Sequence, residues 1–237
     1  MKSVKFRMIA IALLSAAMPF TAKAQDKVEA SVGADFVSNY IWRGTDCGGV
    51  SIQPSMGVSY KGLSLTAWGS VGIDKEDARE IDLTRGYNTG GFSVSVTDYW
   101  FSYHKEDGGY TGDYFKYGAH STVHIFEATL GYDFGPLALS WNTYFAGDDY
   151  TKENGDRAYS TYVGISAPFK LGGLDWSAEV GLTPWEGAYA NKFNVTNLTL
   201  KAEKEIKFTN SFSLPTFAQV TFNPHTQGAY FVFGVSF

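Results

Sequence analysis

Apolar and polar residues alternate with a period of two along nearly the whole chain. Val28, Ala30, Val32, Ala34, Phe36, Tyr40 and Trp42 are interleaved with Glu29, Ser31, Gly33, Asp35 and Asn39. This predicts one long strand with two unlike faces, because successive strand side chains point to opposite sides. A second run sets Val50, Ile52, Met56, Val58 and Tyr60 against Ser51, Gln53, Ser55, Gly57 and Ser59. Only Lys61-Gly62 separates it from a third, Leu63, Leu65 and Ala67, and this predicts a hairpin. The rhythm continues through Ile81 and Leu83, Phe92 to Val96, Phe126 to Leu130, Leu137 to Trp141, Val163 and Ile165, Trp176 to Leu182, Leu198 to Ala202, and Phe212 to Phe222. Asp98 interrupts it, and a bulge is expected there. The total is about twelve strands of roughly ten residues, the length of a tilted strand that crosses an outer membrane.

The connections alternate in length. Lys61-Gly62, Asn88 to Gly91, Asp133 to Pro136, Lys170 to Gly173 and Thr209 to Ser211 are short, whereas Gly44 to Gly49, Asp74 to Arg79, His104 to Ser121, Gly147 to Ala158, Pro184 to Asn194 and Asn223 to Gly228 are mostly longer. A soluble sandwich has no need of that alternation. It predicts an all-β, antiparallel transmembrane β-barrel of about 12 strands, with short periplasmic turns and longer extracellular loops. An even strand number returns both termini to one side.

Both ends of the chain fit export. Lys2, Lys5 and Arg7 precede an apolar run from Met8 to Leu14 and an Ala22-Lys23-Ala24 exit. That pattern is a secretory signal peptide, residues 1–24, with the barrel over 25–237. The apolar run falls short of the roughly 20 residues of a membrane-spanning helix. At the other end, Phe231, Phe233, Val235 and Phe237 share one face of the last strand. An alternating strand with an aromatic last residue resembles the C-terminal assembly signal of Gram-negative outer-membrane barrels. Lipopolysaccharide, outer-membrane lipid and the barrel-assembly machinery are then the expected partners.

Composition narrows the function. The formal charge is -5, and the leader holds four of the cations and no acid, so the remainder is more acidic still. A nucleic-acid partner is not expected, since phosphate binding needs clustered Lys and Arg. The single cysteine, Cys47, excludes an intramolecular disulfide. Aromatic residues at 16% and 26 glycines suit barrel girdles and bends. Phe92, Trp141, Trp176, Phe212 and Phe233 are expected to face lipid or its interface.

Several stretches resemble a known family: Ser38-Asn-Tyr-Ile-Trp-Arg-Gly44, Gln53-Pro-Ser-Met-Gly-Val-Ser-Tyr60, Leu65-Thr-Ala-Trp-Gly-Ser70, and Glu80-Ile-Asp-Leu83 with Gly86-Tyr87. They are similar to the TorF-type porins, the Gcw_chp family, outer-membrane barrels named from sequence. The likeness is closest over residues 36 to 103. Ser38 to Gly44 satisfies a pattern written S-x-Y-x-[FW]-R-G, while Thr45 to Gly49 departs from the Ser-Gln-rich continuation. The resemblance implies a barrel and suggests a pore, and it supplies no catalytic or substrate residues.

The inward parity carries the candidate chemistry. Arg43 is expected to end the first strand facing the lumen beside Asp35 and Asn39, with Gln53 or Ser51 within reach. Glu80, Asp82, Glu127, Asp175, Glu179, Lys201 and Glu203 share that parity, so acids predominate and a channel so lined favours cations or neutral polar solutes. An internal ion pair that fills a narrow barrel is the competing reading of Arg43. Lys204 and Arg85 fall on the outward parity. His120 and His124 on one strand would lie about 13 Å apart, too far for one metal ion. The acidic loop Gly147 to Asp156 lacks EF-hand spacing. The Tyr114-Phe-Lys-Tyr117 segment could fold inward as a constriction or cap the rim. A barrel hydrolase would need a Ser-His pair at the rim, and no local motif ties His104, His120 or His225 to a nucleophile. These features predict a narrow outer-membrane channel for passive diffusion of small polar solutes, with no cofactor, no metal and no enzymatic activity. A closed structural or ligand-binding barrel is the alternative.

Overall fold

The computed structural model describes residues 27–237, apart from 76, 104, 106–110, 120 and 211. The expected leader lies outside the described residues, as do His104 and His120. The strands are β1 (Glu29–Val37), β2 (Tyr40–Trp42), β3 (Thr45–Gly48), β4 (Ser51–Tyr60), β5 (Leu63–Gly72), β6 (Arg79–Thr89), β7 (Phe92–Ser102), β8 (Ile125–Asp133), β9 (Ala138–Gly147), β10 (Thr161–Leu171), β11 (Leu174–Thr183), β12 (Asn194–Lys207), β13 (Ser213–Asn223) and β14 (Gly228–Ser236). All except β2 and β3 form one closed antiparallel barrel in the order β1-β14-β13-β12-β11-β10-β9-β8-β7-β6-β5-β4. The expected twelve-stranded barrel is therefore the fold.

The two-faced pattern builds the wall inside out relative to a water-soluble protein. Outward residues such as Val32 (82% exposed), Met56 (62%), Leu65 (55%) and Phe233 (51%) are uncovered, while Gln53, Thr97, Glu127, Asn142, Lys201 and Thr221 are buried inside. Phe92, Trp141 and Phe212 are also exposed, and Trp176 stacks on Phe169 across β10 and β11.

Two local expectations are corrected. Asp98 makes no bulge: β7 pairs in unbroken register with β6 and β8 through Leu83↔Asp98↔Phe126. Register shifts instead at Phe126/Glu127 and Gly181/Leu182. Asp98 keeps its outward parity because His124 Nδ1 lies 2.6 Å from its carboxylate. Tyr114 and Tyr117 pack their rings against His124, and its Nε2 lies 2.7 Å from the Tyr114 carbonyl. The Tyr114 to Tyr117 segment therefore lies on the outer wall and neither constricts the lumen nor caps the rim. The second correction is at the start of the barrel, where the first strand ends at Val37 and the chain turns inward.

That turn leaves an unusually short seam. β1 and β14 pair at Asp35↔Ser236, Phe36↔Val235 and Val37↔Gly234. Backbone bonds between Ala34 and Phe237 (2.9 and 3.2 Å) and from Ser38 N–H to Phe233 O (2.9 Å) extend it by one residue at each end. Every other seam of the barrel pairs six or more residues, as β9 and β10 do from Thr161↔Thr143 to Ser166↔Ala138. Phe237 thus contributes two of the few bonds that close the wall. Deleting it should lower the yield of folded barrel on refolding into lipid vesicles, read as loss of the heat-modifiable band. An undiminished yield would remove this role.

Candidate functional site

The chain enters the lumen at Ser38-Asn39 and forms a hairpin, with β2 paired to β3 through Tyr40↔Gly48, Ile41↔Asp46 and Trp42↔Thr45. Its two turn residues, Arg43 (φ 51°) and Gly44 (φ 79°), both lie in the left-handed region. That is the type I′ geometry whose twist matches a tight hairpin, and Gly at the second position accepts it without strain. Lys61-Gly62 between β4 and β5 uses the same geometry (φ 49° and 85°). Here, however, the turn points into the barrel. Gly44 lies against the Thr196 backbone, and its carbonyl accepts a 3.0 Å bond from Asn223 Nδ2.

Arg43 at the tip is 5% exposed and Glu127 of β8 is 1% exposed. The guanidinium donates two bonds to the Glu127 carboxylate, at 2.5 and 2.9 Å, and one to the Tyr189 hydroxyl at 2.5 Å. Tyr99 donates to the same carboxylate at 2.9 Å. The Trp42 and Tyr162 rings lie 4.3 and 4.7 Å from the guanidinium carbon, so cation-π attraction supplements the ion pair where water is scarce. Burial alone would lower the Arg43 pKa, but the adjoining Glu127 carboxylate outweighs it and holds the group charged, well above its ordinary value. Burial also pushes the Tyr189 hydroxyl up to about 12, against the pull of Arg43, so it accepts that bond as a neutral phenol. Tyr189 reaches the lumen from the β11–β12 loop, and with Tyr99, Tyr144 and Tyr162 it forms a buried aromatic cluster against which Trp42, Phe101 and Ile125 pack. Hairpin and cluster together fill the lumen toward the longer loops.

Below the hairpin a cavity of about 320 Å³ extends to the short-turn end, where Asn88, Thr89 and Asp133 line it. Asp35, Asp82 and Glu179 face it with Lys201, and Trp68 adds an aromatic wall. Glu179 accepts bonds from Tyr162 Oη (2.5 Å) and Asn197 Nδ2 (3.1 Å). Lys201 pairs with Glu203 at 2.5 Å and sits 4.2 Å from the Phe217 ring centre. Asp35, Asp82 and Glu179 therefore outnumber Lys201 among the charged residues named along the cavity.

Of the expected lumen residues, Asp35, Asn39, Arg43, Gln53, Asp82, Glu127, Glu179 and Lys201 line this space. Glu80 is buried on the same face and hydrogen-bonds Tyr40 behind the hairpin. Arg43 is corrected in place and partner: it is a hairpin tip and not a strand end, and it pairs with Glu127 across the lumen. Gln53 bonds Ser51 instead (3.2 Å). Asp175 and Glu203 are corrected too. Asp175 pairs with Lys170 at 2.7 Å on the exposed short-turn rim, and the Glu203 carboxylate, nearly half exposed, reaches in only as far as Lys201. Phe231, Phe233 and Phe237 are exposed on the outer face beside Val235. The aromatic cage of Trp42, Tyr99, Tyr162 and Tyr189 was not foreseen. The signal for it was Arg43-Gly44 between alternating residues, the same cue that marks Lys61-Gly62 as a turn.

No protein-family model matches the chain, and no curated protein matches it in sequence. Among solved structures, the BamA of Haemophilus ducreyi lacking POTRA domains 1–3 is similar over 83% of this chain and 41% of that one, at 12% identity and a TM-score of 0.39. The chain thus spans less than half the length of that protein.

Proposed function

We propose that this chain is an outer-membrane barrel of the TorF-type porin kind, which passes small polar solutes by passive diffusion and is closed at rest by its own hairpin. The polar cavity inside an apolar-walled barrel carries this reading. Solutes enter from the short-turn side, which is periplasmic, and meet the Arg43–Glu127 pair as the barrier. The exposed apolar belt around a closed antiparallel barrel supports a lipid setting, because pairing between neighbouring strands meets most of the wall's hydrogen bonds without water. The excess of Asp35, Asp82 and Glu179 over Lys201 supports passage of cations and neutral solutes.

The blind end of the cavity favours a second reading, a closed barrel that holds a small polar ligand and never conducts. Planar bilayers separate the two. The native protein should show rare, small, cation-selective openings, and loosening the hairpin should make them frequent. Silent membranes from both the native protein and the loosened variants, at loads where vesicle insertion is verified, would leave the closed barrel.

A further inference from the structure

We propose that residues 38–42 have two docking places in this barrel, and that exchange between them is the gate. In the described state Tyr40–Trp42 form one arm of the lumen hairpin. Their departure from the wall leaves β14 half bare: among the described residues, Gly228–Val232 pair with β13 on one side and with no strand on the β1 side. A bare row of backbone donors and acceptors is a template for another strand. In a lipid-facing wall it is costlier still, because nothing there satisfies it.

The segment that fits the gap is adjacent in the chain. The seam pairs Phe36↔Val235 and Val37↔Gly234, and Ser38 N–H already bonds Phe233 O at 2.9 Å. The same register carried forward sets Asn39, Tyr40, Ile41 and Trp42 opposite Val232, Phe231, Tyr230 and Ala229. Parity agrees: Phe36 and Phe231 face outward, so Tyr40 and Trp42 would join the apolar exterior, while Asn39 would face the lumen beside Val232, which is buried there. The outward apolar parity of Val28 to Phe36 resumes at Tyr40 and Trp42, past the point where the chain turns inward, with Ser38 outward and Ile41 inward as the exceptions. One segment thus carries the pattern of a wall strand and the Arg-Gly turn of a plug.

The two places exclude each other. Extending β1 withdraws Trp42 from Tyr99 and Tyr189, whose ring centres lie 5.7 and 6.2 Å away. It pulls Arg43 off Glu127 and leaves Thr45 to Val50 as a rim loop. Completing the wall and emptying the lumen are therefore one movement. The exchange itself does not depend on the channel reading; only its consequence, conduction, does.

A disulfide trap tests it in the full-length protein refolded into vesicles, with Cys47→Ala as background. Trp42→Cys with Ala229→Cys should crosslink under a mild oxidant, because extension makes these residues direct partners, whereas in the hairpin Trp42 lies against Tyr99 across the lumen. Phe36→Cys with Val235→Cys, a pair of the existing seam, is the positive control, and heat-modifiable migration verifies folding. Adding Arg43→Ala should speed the 42–229 crosslink by on the order of a hundredfold or more, by weakening only the hairpin state. A control that crosslinks beside a 42–229 pair that does not, even with Arg43→Ala, overturns the exchange. If the trapped protein conducts, exchange and channel stand together. If it is trapped and silent, the exchange stands and the channel reading falls.

Discussion

Arg43→Ala is expected to convert a mostly closed barrel into one that conducts steadily. The substitution removes one member of a buried, doubly bonded ion pair and leaves Glu127, 1% exposed, with the Tyr99 and Thr129 hydroxyls as its side-chain donors among the described residues. Stranding a buried charge in this way costs about 3–5 kcal/mol. The docked hairpin bears that cost, and an undocked one escapes it because water then reaches Glu127. Two readouts should move together: open probability in planar bilayers, and the reactivity of Cys47, the chain's single cysteine. Partial burial in β3, aided by Glu80, raises the Cys47 thiol above its ordinary pKa, so the thiolate fraction is smaller than in a free cysteine. Maleimides react with the thiolate. Labelling should therefore be slow in the native protein and distinctly faster in Arg43→Ala, as the released thiol returns toward its ordinary value. Because double replacement can be nearly neutral where single removal is not, Arg43→Met with Glu127→Gln should restore part of the closure. Unchanged conductance and unchanged Cys47 labelling in Arg43→Ala would show that this ion pair does not hold the lumen shut.

Gly44→Ala should open the lumen with every charge in place. A methyl group at Gly44 would lie 1.9 Å from the Thr196 carbonyl oxygen and 3.0 Å from its carbonyl carbon. Both atoms belong to the β12 backbone, at the bulge where its pairing with β11 shifts register, and backbone atoms cannot rotate away as a side chain would. The position also has φ +79°, where an L-residue incurs roughly 1–2 kcal/mol. Clash and strain act on the docked hairpin alone, since an extended segment needs no left-handed turn. The variant should match Arg43→Ala in open probability and in Cys47 labelling, while the barrel remains heat-modifiable. A closed Gly44→Ala channel would mean that the hairpin is not the obstruction. Agreement of the two variants would assign the barrier to the docked hairpin, since one loses charge and the other only fit.

The barrel was legible because its signal is local and repeated. Strands such as Ser51–Tyr60 and Leu63–Gly72 each declare two faces within a few residues, and Lys61-Gly62 declares the turn between them. The inward acids were legible by the same parity, and Asp35, Asp82, Glu127 and Glu179 do line the lumen. Parity does not carry height along the barrel axis. Asp175 and Glu203 have the inward phase but belong to the short-turn rim, where they meet water and the amines of Lys170 and Lys201. Asp98 shows the converse. An acid out of phase with its neighbours looked like a bulge, but His124, brought alongside by pairing of β7 with β8, let it stay in register on the outer face.

What the sequence by itself determined is the wall: twelve amphipathic strands joined by tight turns, apolar outward and polar inward, because strand period and turn geometry are written in neighbouring residues. What only the tertiary structure decided is whether residues 38–42 extend that wall or enter the lumen. Their alternation suits the first course and Arg43-Gly44 permits the second. The choice rests on groups far along the chain: Glu127, Tyr189, the Thr196 backbone and Asn223, which come together only when the barrel closes. A buried guanidinium settles where a carboxylate and aromatic faces compensate its desolvation, and no local pattern encodes that environment.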